Sequence, residues 1–301
     1  VATIGTGLEP DFFRVRTPED KRAYRRAMTR VLGGDEQIDV TAVADFRAGL
    51  DTWMADQRPV VCGAARGQTL DIATDDALYL LQPTRVVARK RIWRDWALVS
   101  ALLEHEAFRT AFEQRPELSL TIHVTGPVPI EHREDLERVL DAYEETLGAL
   151  PEEIGHRLFM AFSVGHQGQG LLEQPLSIVD IYQLSDLVVF PSMTEGRGLP
   201  IPESAAAGVP IVCSPYDPRP VFDQVVGAHL PQDEQICYES FPEEEFDEEL
   251  LTRLTDILLD PAGQAARIEH NREAARRRYS FDALQSSLSQ ILAQLELTVG
   301  G

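Results

Sequence analysis

Two carboxylates eight positions apart, Glu195 and Glu203, bracket the run Gly196-Arg197-Gly198-Leu199-Pro200-Ile201-Pro202. A carboxylate accepts charge-assisted hydrogen bonds from hydroxyl groups, so a pair of them suits a polyol. Between them, Gly196 and Gly198 allow close approach of the backbone, and the N–H of Leu199 stands where a helix begins. Pro200 and Pro202 suit the first helical turn, where a missing N–H costs nothing. The free N–H groups and the dipole of a helix N-terminus attract anions. A phosphate beside a polyol suggests a nucleotide sugar.

A second set of charges lies upstream, in Pro83-Thr84-Arg85-Val86-Val87-Ala88-Arg89-Lys90. Breaking a sugar–phosphate bond leaves negative charge on the departing diphosphate, and fixed cations stabilise that charge in the transition state. An arginine offers a planar fork to the oxygens and a lysine a compact point charge. The competing reading is a solvated basic loop, and Arg89, Arg91 and Arg94 read as surface charges of that kind. For Glu203 the competing reading is a partner of the helix dipole in the first turn. His123 ends a strand and reads as a core residue. The remaining histidines have no metal-ligand spacing, and no Ser-His-Asp or Cys-His set stands out.

The elements that position these residues follow from the apolar pattern. Strands are predicted at Leu78–Gln82, Leu118–Val124, Arg157–Ser163, Leu187–Phe190, Ile211–Cys213 and near 235–239. Helices fall between them, at about 94–112, 131–148, 175–184, 200–207, 218–226, 246–258, 262–278 and 281–295, with apolar residues at steps of three and four. Alternating strands and helices predict a doubly wound, Rossmann-like parallel sheet, whose ligand sits at the carboxyl ends of the strands. Residues 10–76 fit this less well. Helices are expected at 18–32 and 41–56 within an insert or small subdomain.

Composition narrows the function further. The net charge of −21 argues against nucleic acid as a partner. Cys62, Cys213 and Cys237 are distant and odd in number, which points to buried thiols in a reducing compartment, the cytoplasm. No run approaches the roughly 18 apolar residues of a transmembrane segment. The acidic run 243–249 reads as a solvated face leading into a helix.

The stretch Pro191-Ser192, Glu195-Gly196, Gly198-Leu199-Pro200 and Glu203 resembles the donor-binding signature of retaining glycosyltransferases of family 4, the glycosyl transferases group 1 of the GT-B fold. The resemblance spans about residues 77–285. It implies one GT-B lobe, with residues 1–76 as link plus insert, 77–280 as the nucleotide-sugar domain and 281–301 as a closing helix and tail. It implies that Arg85 and Lys90 contact the donor diphosphate, that Glu195 meets the transferred sugar near its reacting carbon, and that Glu203 binds the ribose. Gly196, Gly198 and Leu199 would hold the phosphate. The loop Gly165-His166-Gln167-Gly168-Gln169-Gly170 would lie on the base side. The implied reaction moves a sugar from a UDP or GDP donor to an acceptor hydroxyl with retention, with no cofactor and no required metal. Residues 2–8 resemble the segment linking the two lobes, so an acceptor-binding lobe is expected upstream. Two positions depart from the pattern: Arg197, where an aromatic is common, and Arg91, where a small residue, usually Gly, follows the Lys. A GT-B phosphorylase or epimerase, or a non-catalytic nucleotide-sugar-binding module, are the alternatives.

Overall fold

The computed structural model of the chain describes residues 6–164 and 175–299. Its strands are β1 Ile38–Asp39, β2 Thr41–Ala42, β3 Val60–Gly63, β4 Thr69–Leu70, β5 Ala77–Gln82, β6 Ser119–Val124, β7 Leu158–Phe162, β8 Leu187–Phe190, β9 Ile211–Cys213 and β10 Glu239–Ser240. Its helices are α1 Pro18–Val31, α2 Val43–Ala48, α3 Leu50–Asp56, α4 Trp93–Glu104, α5 Glu106–Gln114, α6 Arg133–Ala149, α7 Glu152–Gly155, α8 Ile178–Gln183, α9 Pro200–Ala207, α10 Arg219–Val226, α11 Glu248–Leu259, α12 Ala265–Tyr279 and α13 Phe281–Val299.

The main sheet has eight strands in the order β10-β9-β8-β5-β6-β7-β3-β2. Every pairing is parallel except β3 with β7. Counted from β5, the order is third, second, first, fourth, fifth, sixth. That is a doubly wound sheet, and its direction of winding reverses between β5 and β8. β5 to β9 are buried at every position. Strands covered on both faces read as continuous apolar runs for this reason. Side chains alternate between faces. Leu78 and Leu80 join Trp96, Leu136 and Leu254 in one core, while Tyr79 and Leu81 join Ile201, Phe222 and Ala275 in the other. Burying each such side chain is worth roughly 1.5–3 kcal/mol, so the two cores hold the strand ends in register.

Helix ends are fixed locally. Ser177 Oγ accepts from the Asp180 N–H at 3.2 Å, and the Asp180 carboxylate accepts from the Ser177 N–H at 2.9 Å. This capping box begins α8 three residues later than the sequence suggests. The helix expected over 41–56 divides at Gly49 into α2 and α3. The helix expected over 94–112 divides at His105, whose backbone is extended (φ −67°, ψ 122°). β2 and β3 carry the region before residue 77 into the main sheet. Cys62 and Cys213 are buried, but Cys237 is exposed, which corrects the expectation of three buried thiols.

Candidate functional site

The loops that leave β5 and β8 face each other at the point where the winding reverses. Consecutive residues of the first grip the second. The Met193 N–H donates to Arg89 O at 2.8 Å, Arg89 Nη1 donates to Thr194 O at 2.7 Å, and Arg91 Nε donates to Pro191 O at 2.8 Å. Beneath them, Thr84 Oγ1 donates to Gln82 Oε1 at 2.8 Å and Gln82 Nε2 to Asp95 Oδ2 at 2.9 Å. Asp95 is fully buried, and burial raises its pKa well above the carboxylate range. Gly126 supports the same loop. A Cβ there would lie 2.3 Å from Thr84 carbonyl atoms, so only glycine lets the loop after β6 pass so close.

Lys90 lies between the anchored neighbours Arg89 and Arg91. Its Nζ donates to Glu195 Oε1, and Ser192 Oγ donates to the same oxygen at 2.5 Å. Arg89 Nη1 stands 3.5 Å from Glu195 Oε2. Burial lowers the Lys90 pKa. Glu195 acts in the opposite direction, and the nearby charges of Arg89 and Arg85 lower it further. Arg85 is exposed and has no hydrogen bond or ion pair among the described residues. It is therefore a free cation beside a buried, paired one.

Glu195 is held from the other side as well. Its N–H donates to Asp217 O at 2.9 Å, and the Asp217 N–H donates to Met193 O at 2.8 Å. The next N–H groups, those of Gly196, Arg197, Gly198 and Leu199, donate to nothing among the described residues. These four form a run of open donors just before α9, whose first turn adds none, because Pro200 and Pro202 lack an N–H and the Ile201 N–H donates to Gly198 O. The two glycines differ. Gly198 has φ +56°, and a Cβ there would meet Tyr216 OH at 1.9 Å, so its own fold requires glycine. Above Gly196 there is open space. The Leu199 backbone is already helical and caps α9. Glu203, in the first turn of α9, accepts from Tyr182 OH at 2.7 Å. Burial raises its pKa, and the Tyr182 hydroxyl partly offsets the rise.

The structure corrects the reading of Arg91 and Arg94 as surface charges. Arg91 is 7% exposed, and its guanidinium holds Glu243 through both carboxylate oxygens. Arg94 lies 4.9 Å over the Phe241 ring. The run 243–249 is the solvated face leading into α11 that the sequence suggests, and Glu243, 65% exposed, is in addition the ion-pair partner of Arg91. Arg89 is partly exposed but joins the Glu195 cluster. Ser192, Tyr182 and Glu243 went unread as site residues in the sequence. Ser192 had a signal in the motif, whereas the other two lie far from their partners along the chain. His123 is a core residue as expected. It pairs with Ser163 Oγ at 2.7 Å, and burial lowers its pKa to about 3. The loop Gly165–Gly170, with His166, lies outside the described residues.

A cavity of about 840 Å³ opens at the opposite end of the strands, by the amino ends of β5 and β8. Lys21, Arg25, Asp186 and Arg272 line it, and each has an ion-pair partner. No helix among the described residues is long and apolar enough to cross a membrane.

Residues 164–271 match the family described as Glycosyl transferases group 1. Mannosylglucosylglycerate synthase of Thermotoga maritima is 27% identical over 114 residues, 36% of this chain and 27% of that protein. Among solved structures, Anabaena HepE in complex with UDP and glucose superposes with a TM-score of 0.54 at 11% identity, over 97% of this chain and 56% of HepE. A glycosyltransferase of Rickettsia africae gives 0.52 at 12% identity, over 96% of this chain and 55% of that one. The chain thus spans about half the length of these solved structures, and a smaller part of the curated relative. It has the fold seen in GT-B glycosyltransferases, and residues 164–271 are similar to the group 1 family.

Proposed function

We propose that this chain holds the donor of a retaining, family 4 glycosyltransferase: a nucleotide diphosphate sugar bound between the loops after β5 and β8. The observation that carries the reading is the Lys90–Glu195 pair, flanked by the free Arg85 and by the open N–H groups of residues 196–199. The cations and the N–H run suit a diphosphate, and Glu195 suits hydroxyls of the sugar. Glu203, with Tyr182 behind it, is assigned to the ribose.

In this reading Arg85 and Lys90 stabilise charge on the departing diphosphate. Glu195 Oε1 already receives Lys90 and Ser192, so it is a poorly exposed nucleophile or base. That supports a front-face route in which the leaving phosphate assists the acceptor and the product keeps its configuration. We assign acceptor binding to a second lobe; the greater length of HepE and of the Rickettsia africae glycosyltransferase, of which this chain covers 56% and 55%, supports that assignment.

Calorimetry against UDP, GDP and ADP, with and without an attached hexose, tests the reading. UDP belongs in the panel because HepE is described with UDP and with UDP-glucose. Saturable binding of one base is expected, tighter with the sugar present. Heat of dilution alone across the panel would refute it.

A further inference from the structure

We propose that Arg91 is a positioning residue of the donor site: its guanidinium staples the carboxyl ends of β5, β8, β9 and β10 together and so fixes where Lys90 presents its ammonium group. The role of Lys90 rests on the donor reading above. The role of Arg91 rests on its own geometry.

Arg91 has φ +51° and is 7% exposed. That backbone region is sparsely used by residues other than Gly, Asn and Asp, so an arginine there needs a compensating set of contacts. Its side chain supplies them. Nε donates to Pro191 O at 2.8 Å, just past β8. Nη2 donates to Ser214 Oγ at 3.1 Å, just past β9, and to Glu243 Oε1 at 3.0 Å. Nη1 donates to Glu243 Oε2 at 2.5 Å, in the segment after β10. The bidentate grip on a carboxylate, with two further acceptors, is a set of contacts that lysine cannot reproduce. Arg94, over Phe241, adds a second hold on the segment after β10.

Lys90 is thereby fixed from both sides. Its own turn closes through Lys90 N–H to Val87 O at 2.9 Å and Arg91 N–H to Ala88 O at 3.1 Å. Arg89 holds Thr194 and Arg91 holds Pro191, so the backbone of Lys90 is drawn against the loop that carries Ser192 and Glu195. If Arg91 let go, Lys90 would be free to swing towards solvent, away from Glu195.

The chain has only two lysines, Lys21 and Lys90. Protein labelled with 13C at the lysine ε carbon therefore gives two side-chain signals, assigned with Lys21→Arg. The groups facing Lys90 are Glu195 and Ser192 on the loop after β8, Arg85 and Arg89 on its own loop, and the Phe190 ring at 5.4 Å. Arg91→Gly suits the backbone but removes the staple. The Lys90 signal should then move towards that of free lysine, and its titration midpoint should shift upward. Arg91→Lys should not restore it. Glu243→Gln, at a more exposed position, should give a smaller shift in the same direction, and Lys21 should stay in place throughout. Leu254→Ala, in the core, should lower the melting temperature without moving Lys90. If the Arg91 and Glu243 variants lower only the melting temperature, and the Lys90 signal and midpoint stay at wild-type values, Arg91 is a structural staple and the proposal falls. If Arg91→Gly does not fold, Glu243→Gln and Ser214→Ala decide by the same readout. The readout needs no nucleotide. A wild-type chain that bound no nucleotide sugar would overturn the donor reading, while the Lys90 titration would still decide for or against Arg91.

Discussion

Lys90 and Glu195 hold each other across the gap between the loops after β5 and β8, with only 8% and 9% of their surfaces exposed. The group assigned to the diphosphate and the group assigned to the sugar thus neutralise one another. Replacing one partner of a buried pair leaves the other uncompensated. Glu195→Gln should lower the Lys90 pKa further, because the carboxylate is what holds it up. It should spare affinity for the bare nucleotide diphosphate and reduce turnover of the nucleotide sugar in the enzyme that includes the acceptor-binding half. Equal loss of affinity with and without the sugar would contradict the assignment.

Arg85 behaves differently because it is exposed and unpaired among the described residues. Arg85→Ala should change stability by no more than about 0.5 kcal/mol, as surface substitutions do. In the enzyme that includes the acceptor-binding half, turnover should fall by about 10²–10³, the scale for removing one transition-state donor. Turnover within a factor of about two of wild type would make it a surface charge.

The two glycines of the loop separate fold from ligand. Gly198→Ala meets Tyr216 OH and a positive φ, and should destabilise the chain by about 1–2 kcal/mol from the left-handed backbone alone. Gly196→Ala meets open space. It should leave the melting temperature unchanged and weaken nucleotide binding, because its methyl group enters the space assigned to the diphosphate. Unchanged calorimetric affinity for Gly196→Ala would place the phosphates elsewhere.

Glu203 carries a pH signature. Burial raises its folded-state pKa, so its contribution to stability is fully present below the ordinary carboxylate pKa and is lost as pH rises through the raised value. Glu203→Gln should therefore be the more stable protein at neutral pH, yet bind nucleotide more weakly. The ribose needs the ionised acceptor, so affinity for a nucleotide sugar should increase as pH rises through the Glu203 pKa. Tyr182→Phe removes the hydrogen bond that lowers this pKa and should move the profile to higher pH. A flat profile in the wild type would remove Glu203 from the ribose.

The sequence carried the sheet and the motif because both are local. Apolar runs such as Leu187–Phe190 are buried on both faces, and Glu195 to Glu203 lie in one continuous stretch. What it did not carry is long-range. Arg91 reaches Glu243, and Tyr182 reaches Glu203 from a different helix, so spacing along the chain gave no sign of either pair. Arg91 stood out only as a departure from the pattern. Its structural meaning depended on three other strand ends converging on it. The region before residue 77 was hard to read for a related reason. β2 and β3 are short, and β3 pairs antiparallel with a strand that lies about a hundred residues later.

The central claim is that a nucleotide sugar binds at the carboxyl ends of β5 and β8. The two lysines stand at opposite ends of the strands, Lys90 at the proposed site and Lys21 at the cavity of about 840 Å³ by the amino ends. Titrating the 13C-lysine protein with the best-binding nucleotide sugar reads both places at once. The account predicts a saturable shift of Lys90 with Lys21 unmoved. A shift of Lys21 with Lys90 unmoved would contradict it and put the ligand in the opposite cavity.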